Sequence, residues 1–291
     1  MIVLTTPTGA IGRQVLARLL GTGARIRVIA RDPSQLPAAA RDRVDVVPGS
    51  HGDAAVVGDA FAGADTVFWV VPPNPRAPSV DAAYVGFTRP ACDALRRHGV
   101  RRVVGVSALG RGVTAHAGLV SASLAVDDLI AATGVAHRAL TMPSFMDNVL
   151  RQVEPIATRG LFVSPIAGDR PVPMCATRDI ADVAARLLLD PAWTGQASVP
   201  VLGPADLSFE DAAATMTDVL GKPVRFQQIP LETYRARLIE TGWSAPMAQG
   251  LVEMMAAKNA GLDNAEPRTP AATTPTSFRQ WCQEVLVPAL G

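Results

Sequence analysis

The first residues with chemical potential are those able to hold a phosphate. Thr6, Thr8, Gly9, Ala10, Ile11 and Gly12 follow the apolar run Met1-Ile2-Val3 and precede an amphipathic stretch carrying Val15, Leu16, Leu19 and Leu20. An apolar run, a glycine-containing turn and an apolar stripe of helical period predict strand, loop and helix. The free N–H groups and positive end of such a helix stabilise a pyrophosphate, and glycine lets backbone and ligand approach. Gly9 and Gly12 supply that approach, so the loop is expected to bind a dinucleotide. A second strand, predicted over 24–30, ends at Arg31-Asp32, 19 residues beyond Gly12. There an acidic residue favours a ribose 2′-hydroxyl and arginine a 2′-phosphate. Arg31 leads, with Arg13 beside the loop, so the expected cofactor is NADP(H); Asp32 is the dissenting residue.

At the other end of the dinucleotide the candidates are fewer. Ser107, at the end of a predicted strand, is expected to be a polar group beside the reacting ring. It is not a hydrolase nucleophile, because Gly105-Val106-Ser107-Ala108-Leu109 has leucine where the nucleophile elbow needs glycine. His116, in the glycine-rich segment 110–118, is the candidate proton donor, since histidine titrates near neutrality. Tyr84 and Asp147 are weaker donors. Val71, Pro72, Pro143 and Phe145, in loops after the fourth and sixth strands, are expected to touch the cofactor. Trp69, Met142, Phe145, Met146, Met174 and Trp243 are expected to line a pocket for a small, flat, hydrophobic substrate. Cys92, Cys175 and Cys282 are odd in number and far apart, and His51, His98, His116 and His137 lack ligand spacing. Reduced thiols and no metal are expected.

These residues need a scaffold, and the pattern supplies an α/β one. Strand-like runs at 1–3, 24–30, 44–47, 66–71, 102–106 and 137–141 alternate with helical segments at 53–61, 84–98 and 121–133. They predict a doubly wound parallel Rossmann sheet over residues 1–150. Residues 151–291 read as a smaller mixed α/β C-terminal substrate-pocket lobe that partly returns to the sheet. Within it, Ser208 is expected to cap a helix to Leu220 and Thr276 to cap the last helix. The 291 residues are 48% hydrophobic and 18% charged, with formal net charge +1. No basic cluster suggests nucleic acid and no apolar run suggests a membrane, so a cytoplasmic protein is expected, with a homodimer left open. Among 27 Lys and Arg residues the lysines are Lys222 and Lys258, a bias that reads as genomic composition.

Several motifs in order resemble the NmrA-like branch of the atypical short-chain dehydrogenase/reductases, over essentially the whole chain. They are Thr-Gly-Ala-Ile-Gly (8–12), Ala-Arg-Asp-Pro (30–33), Ala-Gly-Ala-Asp-Thr-Val-Phe (62–68) and Val-Val-Gly-Val-Ser (103–107). Pro-Ser-Phe-Met-Asp-Asn (143–148), Thr-Arg-Asp-Ile-Ala (177–181) and Pro-Thr-Ser-Phe-Arg-Gln-Trp (275–281) continue the series. The resemblance implies an NAD(P)H-dependent oxidoreductase or, as the alternative, a non-catalytic NADP(H)-sensing regulator acting through a protein partner. Three departures stand out. Thr6 replaces the family's first glycine. Gly49-Ser50 replaces a Gly-Asp, leaving Asp53 as the nearby carboxylate. Val120 and Leu124 occupy the positions of the superfamily's proton-donating tyrosine and its lysine. Hydride transfer is therefore expected to reach a quinone-like, imine or activated-alkene acceptor without that pair.

Overall fold

The computed structural model describes residues 1–113 and 115–290. The first half runs β1 (Ile2–Leu4), α1 (Gly12–Leu20), β2 (Ile26–Ala30), α2 (Ala38–Arg41) and β3 (Asp45–Pro48). It continues with α3 (Ala54–Phe61), β4 (Thr66–Trp69), α4 (Phe87–His98), β5 (Arg102–Ala108), α5 (Leu119–Ala131) and β6 (Ala136–Met142). The helix expected over 84–98 is divided. Ala82–Gly86 form a turn of π-helix before α4, and Pro90 lies in α4's first turn. A first-turn proline is tolerated because its missing N–H has no helical acceptor to lose.

The second half holds β7 (Ser144–Phe145), α6 (Val153–Arg159), β8 (Leu161–Ser164), β9 (Val172–Cys175), α7 (Thr177–Leu189), β10 (Gln196–Pro200) and β11 (Asp206–Leu207). Then come α8 (Phe209–Leu220), β12 (Arg225–Gln228), α9 (Leu231–Glu240), α10 (Ala245–Asn259) and the short α11 (Phe278–Trp281) and α12 (Val287–Leu290). Ser208 caps α8 in a reciprocal capping box with Asp211. The last helix corrects the sequence reading by one residue. Ser277 is its cap, while the Thr276 N–H and hydroxyl both donate to buried Asp179, at 3.0 and 2.6 Å.

A seven-stranded sheet in the order β10-β6-β5-β4-β1-β2-β3 is parallel throughout, each neighbouring pair running in the same direction. Its two faces are covered separately. Val15, Leu16 and Leu19 of α1 and Ile180, Ala181 and Ala184 of α7 fill one side. Val57, Phe61, Ala91, Leu95, Val126 and Ile130 of α3, α4 and α5 fill the other. Residues beyond 150 thus return to the sheet through α7 and β10. A third core, including Phe162, Phe209 and Trp281, lies among the small sheets and helices of the second half. The strand order reverses between β1 and β4, so the carboxyl ends of those strands form the crevice where such sheets bind ligands.

Candidate functional site

The loop from β1 to α1 is tied down before any ligand arrives. The Thr5 hydroxyl donates to the Phe68 carbonyl at 2.9 Å and accepts from the Val70 N–H at 3.0 Å, fixing the end of β1 to that of β4. Thr6 has φ +49°, the left-handed conformation that the family's glycine would adopt freely, so the loop carries backbone strain at this residue. A Cβ on Gly12 would sit 2.0 Å from the Thr6 carbonyl oxygen, whereas one on Gly9 would be at 3.4 Å. Gly12 is therefore required by the loop's own packing against the helix, a correction to the reading that gave it direct phosphate approach. Gly9 is the glycine that leaves ordinary space. Among the described residues, the Ala10 and Ile11 N–H groups have no intramolecular acceptor. Two free donors at a helix start, beside Thr8, fit a dinucleotide's pyrophosphate.

Arg31 and Asp32 divide their roles. The Asp32 carboxylate is occupied locally, accepting from the Ser34 N–H at 2.9 Å and the Ser34 hydroxyl at 2.6 Å, and these bonds hold its pKa below the usual range. Arg31 is exposed and has no ion-pair partner among the described residues. Its charge reaches His51, whose pKa burial above all, with Arg31, pushes down to about 4. The His51 ring bonds the Val70 carbonyl at 2.9 Å and meets Trp69 and Phe87 edge-on. Trp69 therefore belongs to the α3–α5 core at the adenosine end, not to a substrate pocket. Asp53 caps α3 through the Ala55 N–H at 2.8 Å, so its carboxylate serves the helix.

Where the nicotinamide end of the crevice falls, Ser107 faces α5 and its hydroxyl donates to Asp127; both are buried. Burial pushes the Asp127 pKa up to about 6 against the pull of that bond and of Arg111. The Arg111 guanidinium lies 3.7 Å from Asp127 and 2.9 Å from Asp128. Asp127 was not singled out from the sequence, though it lies seven residues after Val120 and hence on the same buried face of α5. Val120 and Leu124 sit in an apolar cluster with Ala108, Ala117, Met254, Ala257 and Leu262.

The other candidates do not converge. His116 is a surface residue, 70% exposed, with its ring 3.2 Å from Glu253 of α10; nothing buries it beside a reacting atom. Met142 belongs to the sheet core, Met146 and Met174 to the third core, and Trp243 packs with Met247, Ala77 and Val80. Of the six residues expected to line one pocket, only Phe145, Met146 and Met174 are neighbours, through the β7–β9 pairing of Ser144 with Met174 and Phe145 with Cys175. Pro143 is buried and Val71 and Pro72 half-buried at the strand ends. Asp147 is structural, accepting from the Thr177 N–H at 3.0 Å and its hydroxyl at 2.8 Å. Gln14 donates at 2.8 Å both to Ala10 in the phosphate loop and to Thr177, joining loop and lobe. The largest groove, about 770 Å³ and lined by Gly99, Arg101, Gly134 and Gly195, lies at the amino edge of the sheet. Strand direction, rather than size, places the ligand crevice at the opposite edge.

This sheet and loop define a dinucleotide-binding protein, and the chain belongs to the NAD(P)H-binding family whose profile matches residues 7–191. The NmrA-like resemblance read from its motifs stands. Among curated relatives, the (4-alkanoyl-5-oxo-2,5-dihydrofuran-3-yl)methyl phosphate reductase of Streptomyces griseus is 29% identical, over 98% of this chain and 97% of its own. The NAD(P)H azoreductase of Xenophilus azovorans is 27% identical over 88% and 86%. The Escherichia coli NADPH-dependent quinone oxidoreductase QOR2, solved with NADPH, shares the fold with TM-score 0.80, 22% identity and full coverage of both chains. No described helix is long and apolar enough to cross a membrane.

Proposed function

We propose that the protein is an NADPH-dependent oxidoreductase that delivers hydride to a small, hydrophobic, electron-poor acceptor, quinone-like, imine or activated alkene. The observation that carries this reading is the combination of an intact cofactor loop with an apolar filling at positions 120 and 124. Thr8, Gly9 and the free N–H groups of Ala10 and Ile11 would hold the pyrophosphate, and Arg31 the 2′-phosphate. When bound, the cofactor supplies the hydride, and the protein's part is to orient it against the acceptor and exclude water. Without a tyrosine acid, acceptors that take hydride readily are favoured over those needing strong carbonyl protonation. That two relatives are named as reductases, one of azo compounds, supports the reading.

The test compares NADPH oxidation with matched acceptors. A p-quinone should turn over and an unactivated aliphatic ketone should not, since a missing general acid typically costs ~10²–10⁴-fold where protonation limits the rate. In the same preparation, Arg31→Ala should weaken NADPH binding by about 1.5–3 kcal/mol, the range for hydrogen bonds to charged groups, and spare NADH. Efficient ketone turnover would show an effective acid in the Tyr/Lys manner. NADPH binding without turnover of any acceptor, and with a captured protein partner, would favour the regulator.

A further inference from the structure

The ion pair between Lys258 and Asp263 is buried and belongs to no structural layer described above. Lys258 ends α10 and Asp263 lies in the turn that follows; they are 5% and 2% exposed, with the ammonium 2.5 Å from one carboxylate oxygen. The other oxygen, Asp263 Oδ1, has no hydrogen-bond partner among the described residues. A buried carboxylate oxygen left unpaired costs desolvation energy that the fold does not return, and native proteins keep few such groups.

Its place is informative. Ala257 and Leu262, which flank the pair in sequence, pack directly on Val120, Leu124 and Ala108, the last residue of β5 after Ser107. The turn is anchored on the far side, where Asn264 donates to the Pro171 carbonyl at 2.9 Å and Asn259 accepts from the Ala167 N–H at 3.0 Å. The charges of Lys258 and Asp263 act on the buried Cys175 thiol at the end of β9, where Cys175 pairs in register with Phe145. The pair thus lies between the vacant tyrosine and lysine positions and the β7–β9 ends. Arginine is the cation nearly everywhere else in this chain, yet here stands a lysine. An ammonium can give up a proton in the neutral range of proteins' chemistry, and a guanidinium cannot.

We propose that Lys258, held in place by Asp263, is the proton donor of the reduction proposed above, on which this inference rests. Hydride from the reduced nicotinamide forms a C–H bond on the acceptor and leaves the oxidised cofactor. The electron pair displaced onto the acceptor's heteroatom takes a proton from Lys258 Nζ. The neutral amine stays hydrogen-bonded to the Asp263 carboxylate and recovers a proton from water after product leaves. Asp263 is a positioning residue, and its second oxygen is free to accept a hydrogen bond from a hydroxyl or N–H of the acceptor.

The experiment uses the full chain with NADPH and a p-quinone. Lys258→Ala should lower kcat by ~10²–10⁴-fold, the range for one general acid, with KM for NADPH unchanged. Added methylammonium should restore part of kcat by filling the vacated space with a proton donor. Because a lone Asp263 charge in the interior can unfold the variant, Lys258→Met with Asp263→Leu removes both charges together. That double variant should bind NADPH as the wild type does, by calorimetry, and be as slow as Lys258→Ala. A folded, NADPH-binding double variant with wild-type kcat overturns the proposal and makes the pair structural. Wild-type protein that binds NADPH but reduces no acceptor overturns the oxidoreductase reading and this inference with it.

Discussion

Three buried side chains set how the molecule responds to acid. Burial raises the Asp127 pKa from 3.8 to about 6, so the folded state holds a proton that the unfolded chain releases between those values. Its contribution to stability is present below the unfolded value and is lost as pH rises through about 6. His51 and His137 go the other way. Burial lowers each from 6.5 to about 4, so the unfolded chain takes up protons that the folded state refuses as pH falls through that range. Their stabilisation is present above 6.5 and lost toward 4. Two histidines oppose one carboxyl, so Tm should fall on acidification from pH 6.5 to 4. Asp127→Asn removes the opposing group and keeps an acceptor for the Ser107 hydroxyl. It should steepen the acid limb and gain up to about 3 kcal/mol above pH 6, at about 1.4 kcal/mol per pKa unit. Melting curves of the two proteins across that range check this, and parallel acid limbs would contradict it.

At the scale of elements, carboxylates at the start of α7 bind distant segments together. Asp147 holds the N–H and hydroxyl of Thr177, and Asp179 those of Thr276 nearly a hundred residues away. Asp179→Ala leaves both Thr276 groups buried without their acceptor. It should cost about 2–4 kcal/mol in urea unfolding, given 1.5–3 kcal/mol for a hydrogen bond to a charged group, and expose 265–277 to protease. The elements themselves differ in how far the sequence announces them. The six strands of the first half and the Ser208 cap show because apolar period and cap chemistry are local. β7 is two residues long and β8 exists through pairing with β12, some sixty residues on, so neither has a local signal. The site follows the same rule. Thr6–Gly12 and Arg31 are legible because loop chemistry is written in consecutive residues. Met142, Met146, Met174, Trp69 and Trp243 have a residue type that suits core and pocket alike, and tertiary packing sends them to four different cores. Lys258 was visible as a rare lysine, but its partner and its burial come only with the fold.

The whole molecule is interleaved rather than divided. β10 closes the β6 edge, pairing Gln196–Pro200 with His137–Thr141, and α7 covers the sheet beside α1. A fragment ending at residue 150 keeps six strands but exposes β6's edge and part of an apolar face, a template for strand addition. It should sediment as aggregate where the full chain remains dispersed, and a well-dispersed, cooperatively melting fragment would show that β10 is dispensable. The same closure has a temporal side. β6 is complete at Met142, but its neighbouring strand ends at Pro200, roughly 60 residues later. At ~5–20 residues per second, a nascent chain waits roughly 3–12 s with an open edge. Codon speed across that interval, which changes no residue and no contact, is thus a determinant of how much soluble protein a cell obtains.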